Sequence, residues 1–309
     1  MTLVHGGQAL LVDPHTEQAA ADAAAAADVA GVRIVEVHDV DGFEAVRVLF
    51  DAVWQPDPGD EPVTRGLLNA LVHCGNYCSA AFVGDRMVGA SMGFLGLLPE
   101  PLLHSHITGV LPDRAGSGVG RAIKLHQRWW ALQRGLHVIT WTYDPLIRRN
   151  AYFNAVKLGA LPVEYLEDFY GEMNDAINVG QGSDRLLSRW DLVQPHRSQP
   201  SPAVVRELIT VVDGIPTLPV DPRVAADEVA AGITPTRLAV SVPADVEALR
   251  AADPVTAARW RAVVRRALGA LMDLGWRVVD VSRDQGYLME PPDFSPPSTG
   301  DDPAHPTYR

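Results

Sequence analysis

The stretch DRAGSGVGRAIKLHQRWW, residues 113–130, places three glycines at alternate positions and then continues into an amphipathic helical pattern that carries arginine. A glycine-rich turn before a helix leaves the N–H groups of the first helical turn unpaired, and the helix dipole adds positive potential there. Such a turn binds phosphate oxygens, because glycine lets a ligand come close to the backbone. We therefore expect an anionic ligand at this turn.

Two common phosphate-binding motifs fit this stretch poorly. The dinucleotide fingerprint would combine Gly116 and Gly118 with a third glycine at position 121, which is Arg121. The strands before the turn are also predicted to form an antiparallel hairpin, whereas that fingerprint needs a parallel βαβ unit. A Walker loop ends in Gly-Lys-Ser/Thr, but Gly120 is followed by Arg121 and Ala122. Both motifs are therefore disfavoured.

Composition limits the classes of protein that remain. The chain has 309 residues, 47% of them hydrophobic, and a formal net charge of −12. This length allows one large core or two modest ones. The acidic balance argues against nucleic acid as a partner, because phosphate binding needs clustered positive charge. No apolar run of about 18 residues and no basic leader are present, so we expect a cytoplasmic protein without membrane association.

The chain contains two cysteines, Cys74 and Cys78. They cannot form a disulfide framework, and with His73 nearby they supply too few ligands for a structural zinc. We expect packing thiols and no metal site.

One segment reverses the overall acidic charge. Between residues 114 and 157 the single acidic residue is Asp144. The basic residues of this segment are Arg114, Arg121, Lys124, Arg128, Arg134, Arg148, Arg149 and Lys157. The pattern predicts a surface that attracts an anionic ligand, and a solvated helix face is the alternative.

The order of predicted elements divides the chain into two units. Residues 1–31 are alanine-rich and predict a loose helix or tether. Residues 32–194 predict the main domain, with a strand, two helices, an antiparallel hairpin and a further strand before the turn, and then alternating helices and strands. Residues 195–202 predict a proline-rich linker, residues 203–290 a smaller α/β unit, and residues 291–309 a disordered tail.

Antiparallel strands that lead into a glycine turn and one long helix resemble the GNAT acyltransferase superfamily, in which the turn holds the pyrophosphate of coenzyme A. The superfamily's signature is Gln/Arg-x-x-Gly-x-Gly/Ala, and AGSGVG places Gly118 and Gly120 in register. The first position of the signature is Ala115, and Arg114 lies one residue earlier. This departure changes a side-chain contact more than the turn, because backbone amides hold the phosphates.

A second segment, NAYFNAVKLGA at residues 150–160, resembles the superfamily's second cofactor segment, where an asparagine opens a helix that ends in Leu-Gly-Phe. Asn150, Leu158 and Gly159 match, and Ala160 replaces the phenylalanine. A bacterial subgroup of GNAT acyltransferases is similar beyond the main domain as well. The resemblance implies an α/β (α+β) chain with the GNAT fold, in which a mixed, mostly antiparallel twisted sheet is flanked by helices and a smaller C-terminal α/β unit follows.

The resemblance implies an acyl-CoA co-substrate, either acetyl-CoA or succinyl-CoA, bound in a splay between the strands that end near residues 111 and 143. In the superfamily the strand before the turn bulges and diverges from its neighbour to admit the pantetheine arm, and a glycine at position 109 fits such a bulge. The residues expected to bind the cofactor are Gly109, Val110, Leu111, Arg114, Ala115, Gly116, Ser117, Gly118, Val119, Gly120, Arg121, Asn150 and Phe153.

The candidate general base is His104 or His106, which lie two residues apart on the strand before the turn and so on one face. The ordinary pKa of histidine, about 6.5, suits the removal of a proton from an amine. Several members of the superfamily carry their base on this strand, at a position that corresponds to His104. The alternative is that both imidazoles are partly buried and bonded to the backbone.

The residue that would protonate the departing thiolate differs from the superfamily's usual tyrosine, because Ala155 stands at that position. Tyr143, Tyr152 or a water would serve instead, or the thiolate leaves unprotonated. Tyr143 and Tyr170 are expected to line the acceptor pocket.

Arg148 or Arg149 would bind the carboxylate of a succinyl donor, because a guanidinium pairs with a carboxylate in bidentate fashion. The alternative is that both arginines contact CoA phosphates or solvent.

We therefore expect an N-acyltransferase that moves an acetyl or succinyl group to the amine of a small molecule such as an amino acid, by direct attack on the thioester. A GNAT-fold module that binds CoA or a metabolite without catalysis is the alternative, and the missing tyrosine favours it. The oligomeric state stays open, with a homodimer among the alternatives.

Overall fold

The computed structural model describes residues 13–97, 99–171, 182–195, 205–232, 237–284 and 286–292. The main domain contains a seven-stranded sheet with helices on both faces. Its elements in chain order are α1 (Pro14–Ala30), β1 (Arg33–Glu36), α2 (Val40–Trp54), α3 (Arg65–His73), β2 (Tyr77–Val83), β3 (Arg86–Gly96), β4 (Leu102–Val110), α4 (Val119–Leu132), β5 (Val138–Tyr143), α5 (Arg148–Tyr152), β6 (Leu161–Leu166) and β7 (Arg185–Asp191).

The strands of this sheet are ordered β1-β2-β3-β4-β5-β7-β6. Each neighbouring pair is antiparallel except β4 and β5, which are parallel. The parallel pair arises because α4 carries the chain back to the end of the sheet where β4 begins, so that β5 runs in the same direction as β4. The mixed, mostly antiparallel sheet that the sequence predicts is thus confirmed.

Two cores lie on opposite faces of this sheet. On one face α2 and α3 cover a cluster that includes Phe43, Phe50 and Leu68. On the other face α4 and α1 cover a larger cluster that includes Ile123 and Trp130. Since α4 is enclosed by the sheet and α1, most of its side chains are buried, among them several polar ones.

The alanine-rich segment folds as α1 and packs along α4. Ala19, Ala23, Ala26 and Ala30 recur at helical spacing and are buried, which gives α1 a smooth face for close packing against a second helix. The predicted helix is therefore present at residues 14–30, but it is packed against α4 and is not loose or a tether. Small side chains give a weak amphipathic signal, yet they pack as well as large ones when the partner helix is close.

The C-terminal unit contains a four-stranded sheet and shares its apolar core with the main domain. The sheet order is β12-β13-β11-β8, in which β8 and β11 are parallel. Its elements are β8 (Val205–Glu207), β9 (Thr210–Val212), β10 (Ile215–Thr217), α6 (Pro222–Ala230), β11 (Arg237–Val240), α7 (Val246–Ala252), α8 (Pro254–Val264), α9 (Ala270–Asp273), β12 (Arg277–Ser282) and β13 (Gly286–Glu290).

Parts of the predicted organisation lie outside the described residues. These are residues 1–12 of the N-terminal segment, most of the predicted linker, and residues 293–309 of the predicted tail. No helix within the described ranges is long and apolar enough to cross a membrane.

The two cysteines differ in environment. Cys78 is buried, and burial raises the pKa of its thiol to about 12, whereas Cys74 is exposed. The expectation of packing thiols therefore holds for Cys78 and is wrong for Cys74. Within the described ranges, no group of three or more His, Cys, Asp or Glu side chains is placed to hold a metal ion.

A buried ion cluster joins the two units at the end of β5. Arg261 binds both carboxylate oxygens of Asp144 at 2.8 Å, and Arg250 binds one of them at 2.6 Å. Burial disfavours the charged carboxylate, but the hydrogen bonds and charges of the two arginines outweigh this effect and lower the pKa of Asp144 to about 2. The cluster is therefore charged on both sides at neutral pH.

Removal of the negative charge from this cluster should destabilise the folded chain strongly. We expect Asp144→Asn to lower the free energy of unfolding by about 3 kcal/mol or more, because two buried guanidinium groups lose their counter-charge. Chemical denaturation at neutral pH measures the free energy of unfolding. The control is Asp227→Asn, a substitution of an exposed aspartate on α6. Equal stability of the two variants would contradict it.

Candidate functional site

A gap opens in the middle of the main sheet, between β4 and β5. The two strands pair at Leu103↔Ile139 and His104↔Thr140. No further pair joins these described strands, although β4 runs on to residue 110 and β5 to residue 143. β4 and β5 therefore diverge toward their carboxyl ends, and the vertex of the opening lies at the second pair.

The glycine turn follows β4 at the wide end of this opening. Gly116 and Gly118 adopt positive φ angles of 74° and 91°, which favour glycine, and α4 begins at Val119. No side chain caps the start of α4, so the N–H groups of its first turn are left for another acceptor. The predicted turn and helix are both present, and the turn has the backbone conformation that an anion site needs.

The third glycine of the turn has a different role. Gly120 has no positive φ, and a Cβ atom there would lie 3.8 Å from Val110 Cγ2, an ordinary contact. Its backbone conformation therefore does not require glycine. The missing side chain leaves the start of α4 open to a ligand.

The turn is braced by α1. Arg114 Nη2 donates a hydrogen bond to the carbonyl oxygen of Ala30 at 3.3 Å, and a Cβ atom on Gly118 would lie 3.5 Å from the Cβ atom of Ala30. Ser117 Oγ donates to the carbonyl oxygen of Arg114 at 2.6 Å. The end of α1 thus holds Arg114 and the turn in place, while Ala115 and Arg121 are exposed.

A β-bulge lies in β4 next to the vertex. Met92 pairs with Ile107 and Phe94 pairs with His104, so residues 105 and 106 together face Gly93. A Cβ atom on Gly93 would lie 2.8 Å from the carbonyl oxygen of His104, which is closer than side chains approach. The extra residue bends β4 where it parts from β5.

The predicted bulge at Gly109 is therefore wrong. Gly109 pairs regularly with Ala90. Its missing side chain makes room for Trp54 instead, since a Cβ atom would lie 2.7 Å from Trp54 Cζ3. Val110 and Leu111, the next predicted cofactor residues, are partly buried at the end of β4.

His104 lies at the vertex of the opening. Its Nδ1 atom is 3.0 Å from Thr140 Oγ1 on β5. Burial, with smaller contributions from the charges of His106 and Lys124, lowers the pKa of His104 to about 4. The imidazole is therefore neutral at neutral pH, and it is a weaker base than an ordinary histidine.

The structure brings His106 close to His104. The imidazole centroid of His104 lies 5.0 Å from the ring centroid of Phe94, and that of His106 lies 5.8 Å from the same centroid. Burial lowers the pKa of His106, and a hydrogen bond to the backbone carbonyl of Pro62 partly opposes this. Two neutral imidazoles thus stand together on one side of the sheet, beside the opening.

Lys124 is a third titratable group at the vertex. The sequence pattern indicated it only as one of several basic residues and gave it no role of its own. Lys124 of α4 is 6% exposed, and its Nζ atom donates to Ser105 Oγ at 2.7 Å and lies 4.0 Å from the ring centroid of Trp141. Burial lowers the pKa of Lys124 to about 7. The available signal was its spacing of three and seven residues from Gln127 and Ala131, which places it on an inward-facing stripe of α4.

The other basic residues of segment 114–157 do not form one surface with it. Arg128 is buried and binds the carbonyl oxygen of Leu192 and Asp22, and Arg134 lies 3.8 Å over the ring of Trp130. Lys157 is exposed. The expectation that the whole segment attracts an anionic ligand is therefore wrong, because most of these side chains are used in packing.

Arg148 and Arg149 contact the C-terminal unit. Arg148 donates to the carbonyl oxygens of Arg283, at 2.8 Å, and of Val242. Arg149 forms a two-atom ion pair with Glu247, one contact of which is 2.8 Å. The predicted role of these arginines in binding a succinyl carboxylate is therefore wrong, since both guanidinium groups bind groups of the C-terminal unit. Of the alternative, contact with CoA phosphates or solvent, the solvent contact holds for Arg149, which is exposed.

The tyrosines separate into buried and accessible ones. Tyr143 is 6% exposed, its hydroxyl lies beside that of Tyr287, and burial raises its pKa. Arg283 stacks on Tyr152 at 4.6 Å. Tyr143 and Tyr152 therefore both contact the C-terminal unit. Their predicted roles, as the acid for the thiolate or, for Tyr143, as a residue of the acceptor pocket, are wrong. Tyr170 is 40% exposed, and its hydroxyl lies 3.0 Å from Thr142 Oγ1 at the end of β5.

The second cofactor segment forms α5 and a π-helical continuation, Phe153–Leu158. Asn150 lies in the first turns of α5 and is partly exposed, and Phe153 is partly buried. Ala155 is 1% exposed, so the position where the superfamily often has a tyrosine faces the core here.

Several solved acetyltransferases are similar in structure to about half of this chain. No protein-family model and no curated protein matches the sequence. Among solved structures, an acetyltransferase of the GNAT family from Streptococcus pneumoniae is 12% identical, with a TM-score of 0.42 over 51% of this chain and 98% of that one. The ribosomal-protein-S5-alanine acetyltransferase of Vibrio fischeri is 16% identical, with a TM-score of 0.43 over 53% of this chain and 95% of that one.

Naa50 of Arabidopsis thaliana, solved with a CoA-containing bisubstrate analogue, is 15% identical, with a TM-score of 0.40 over 52% of this chain and 97% of that one. At such identities the similarity concerns the fold. The mixed sheet, the opening between β4 and β5 and the glycine turn before α4 are features that the resemblance of the sequence to the GNAT superfamily implies.

Proposed function

We propose that this protein is an acyl-CoA-dependent N-acyltransferase. The observation that carries the proposal is the opening between β4 and β5, which leads from the uncapped start of α4 to the group of titratable side chains at the vertex. From residue 104 to residue 110, β4 spans about 20 Å at ~3.3 Å per residue. A ligand with phosphates at one end and a reactive group at the end of a long arm, as in a CoA thioester, matches this distance.

The reaction would be direct attack of an amine on the thioester carbonyl. The nitrogen forms a bond to the carbonyl carbon, the C–S bond breaks, and the CoA thiolate leaves. The nitrogen then gives up its second proton to the released thiolate or to water, which leaves a neutral amide. The attacking ammonium must lose a proton first, and His104 or His106, both neutral at neutral pH, would accept it directly or through a water. No covalent enzyme intermediate is required.

The leaving thiolate has no tyrosine on the second cofactor segment to protonate it, because Ala155 is in the core. A thiol pKa near 8.5 makes the thiolate a tolerable leaving group without an acid. Tyr170, exposed at the end of β5, supplies a hydroxyl for the wall of the acceptor pocket. The acceptor is the amine of a small molecule, and the acyl group is acetyl or succinyl.

The buried Ala155 favours a second candidate function, a GNAT-fold module that binds CoA without catalysis. Acyl transfer measured with acetyl-CoA and succinyl-CoA over a panel of amino acids and other small amines separates the two. CoA binding without turnover across the whole panel would support the module.

Negative charge at the glycine turn should weaken CoA binding. We expect Gly120→Asp to raise the CoA dissociation constant by roughly tenfold or more, because a carboxylate would repel the pyrophosphate at the start of α4. Gly120→Ala should bind far better than Gly120→Asp, since a Cβ atom there makes an ordinary contact with Val110.

Calorimetry with CoA on folded protein measures this effect, and Gly66→Asp, an equal charge change at an open position of α3, is the control. Unchanged affinity in Gly120→Asp would refute the turn as the phosphate site.

Loss of the general base should slow acyl transfer while CoA binding persists. We expect His104→Ala or His106→Ala to reduce kcat by about 10²- to 10⁴-fold. A base works unprotonated, so the rate falls as pH drops through its pKa. Since burial lowers the pKa of both imidazoles, this acidic limb should lie below pH 6.5 and disappear in the variant that lacks the base.

The pH dependence of kcat in both variants, with exposed His73→Ala as the control, tests this assignment. Wild-type pH profiles in both variants would contradict the assignment and indicate that a chain of waters removes the proton instead.

A further inference from the structure

Lysine is rare in this chain, and one of its lysines is buried at the vertex of the opening. Lys124 and Lys157 are the only lysines among 26 lysine and arginine residues. Lys157 is exposed, whereas Lys124 is among the most deeply buried charged side chains of the main domain. Arginine keeps its charge at any physiological pH, while a buried lysine can lose it.

The ammonium of Lys124 contacts both strands where they separate. Ser105 and Trp141 each follow the last paired residues, His104 and Thr140, on their strands. Lys124 Nζ donates to Ser105 Oγ of β4 at 2.7 Å and lies 4.0 Å from the ring centroid of Trp141 of β5. One side chain thus links β4 to β5 at the first position beyond the last paired residues of the two strands.

The groups around this ammonium are polar but supply no negative charge in the described part of the chain. From α4 itself, Gln127 Oε1 accepts a hydrogen bond from Lys124 at 3.4 Å, and Gln127 Nε2 lies 3.4 Å from Ser91 Oγ on β3. On β4 the titratable neighbour is His104, whose own pKa the lysine lowers. β5 contributes the aromatic face of Trp141.

We propose that Lys124 is a positioning residue of the acyl-transfer site, and that its ammonium fixes the separation of β4 and β5 where the acyl thioester comes to rest. The inference rests on the proposed function. A cation is suited to this place, because it attracts a ring face on one strand and donates to a hydroxyl on the other. A neutral amine keeps at most the second of these contacts.

The ionisation of Lys124 then makes acyl-CoA binding dependent on pH. Because burial lowers the pKa of Lys124 to about 7, the ammonium is present at pH 6 and largely lost at pH 9. The ammonium therefore holds the vertex in its working geometry at low pH, and the vertex loosens as pH rises. Ionisation of His104 acts at lower pH, since its pKa is about 4.

The test compares wild type, Lys124→Met and the exposed control Lys157→Met. Acetyl-CoA affinity is measured by calorimetry between pH 6 and 9, and KM and kcat for acyl transfer over the same range. We expect wild type and Lys157→Met to lose affinity by roughly threefold or more across this range, with a midpoint near pH 7. Lys124→Met should bind weakly at every pH, without that midpoint, and its KM should rise more than its kcat falls.

Two further variants keep the test decisive if Lys124→Met does not fold. Trp141→Phe offers a weaker ring to the cation, and Ser105→Ala removes the hydroxyl acceptor, so each should raise KM for acetyl-CoA and change the pH midpoint. A wild-type pH profile in all folded variants would overturn the inference while the proposed function stands. Absence of any CoA binding by wild type would overturn both.

Discussion

The structure of the site depends on one constraint, that β4 and β5 pair at two positions and then part. Each strand is paired on its other side, β4 with β3 up to Val110 except at the bulge, and β5 with β7 up to Tyr143. The inner edges beyond the vertex therefore keep unpaired N–H and C=O groups. Buried backbone groups of this kind need partners, so the opening favours an extended ligand or ordered water.

Several parts of the fold maintain that separation, each from a different direction. The bulge at residues 105 and 106 bends β4 away, and it requires Gly93 because no Cβ atom fits opposite. Asp144, directly after β5, is held by Arg250 and Arg261 from the C-terminal unit. The second unit therefore anchors one wall of the opening, although none of its described residues lies at the vertex. A rigid wall preorganises the site, so that less free energy is spent on ordering it when a ligand binds.

The local pattern of the sequence was sufficient to predict the glycine turn, the helix after it and the antiparallel hairpin before it. These features are encoded within a few neighbouring residues, by glycine spacing and hydrophobic period. The bulge was misplaced at Gly109 because its position depends on the register between β4 and β3, and both Gly93 and Gly109 are glycines in strands for reasons of close approach. Only the paired neighbours distinguish the two.

The charged residues were harder to place from sequence, since their partners are distant in the chain. Arg148 and Arg149 meet groups nearly a hundred residues later, and nothing beside them in the sequence indicates an interface. The charges of α4 suggested a solvated or ligand-facing helix surface, yet α1 covers that helix. The alanine-rich helix α1 thus buries polar side chains of α4, such as Arg128, that the sequence pattern alone suggests to be exposed.

The distribution of charge types supports a functional vertex over a purely structural one. Permanently charged arginines occupy the contacts between units and between helices, where a fixed ion pair is sufficient, as Arg128 and Arg261 do. Among the groups whose pKa burial lowers, His104, His106 and Lys124 gather where β4 and β5 part, whereas His126 of α4 lies against Tyr77. Structural packing alone gives no reason to concentrate such groups at one point, because each costs stability when buried. Chemistry that moves a proton and positions a thioester gives that reason, and perturbed titratable groups beside an opening are typical of such sites.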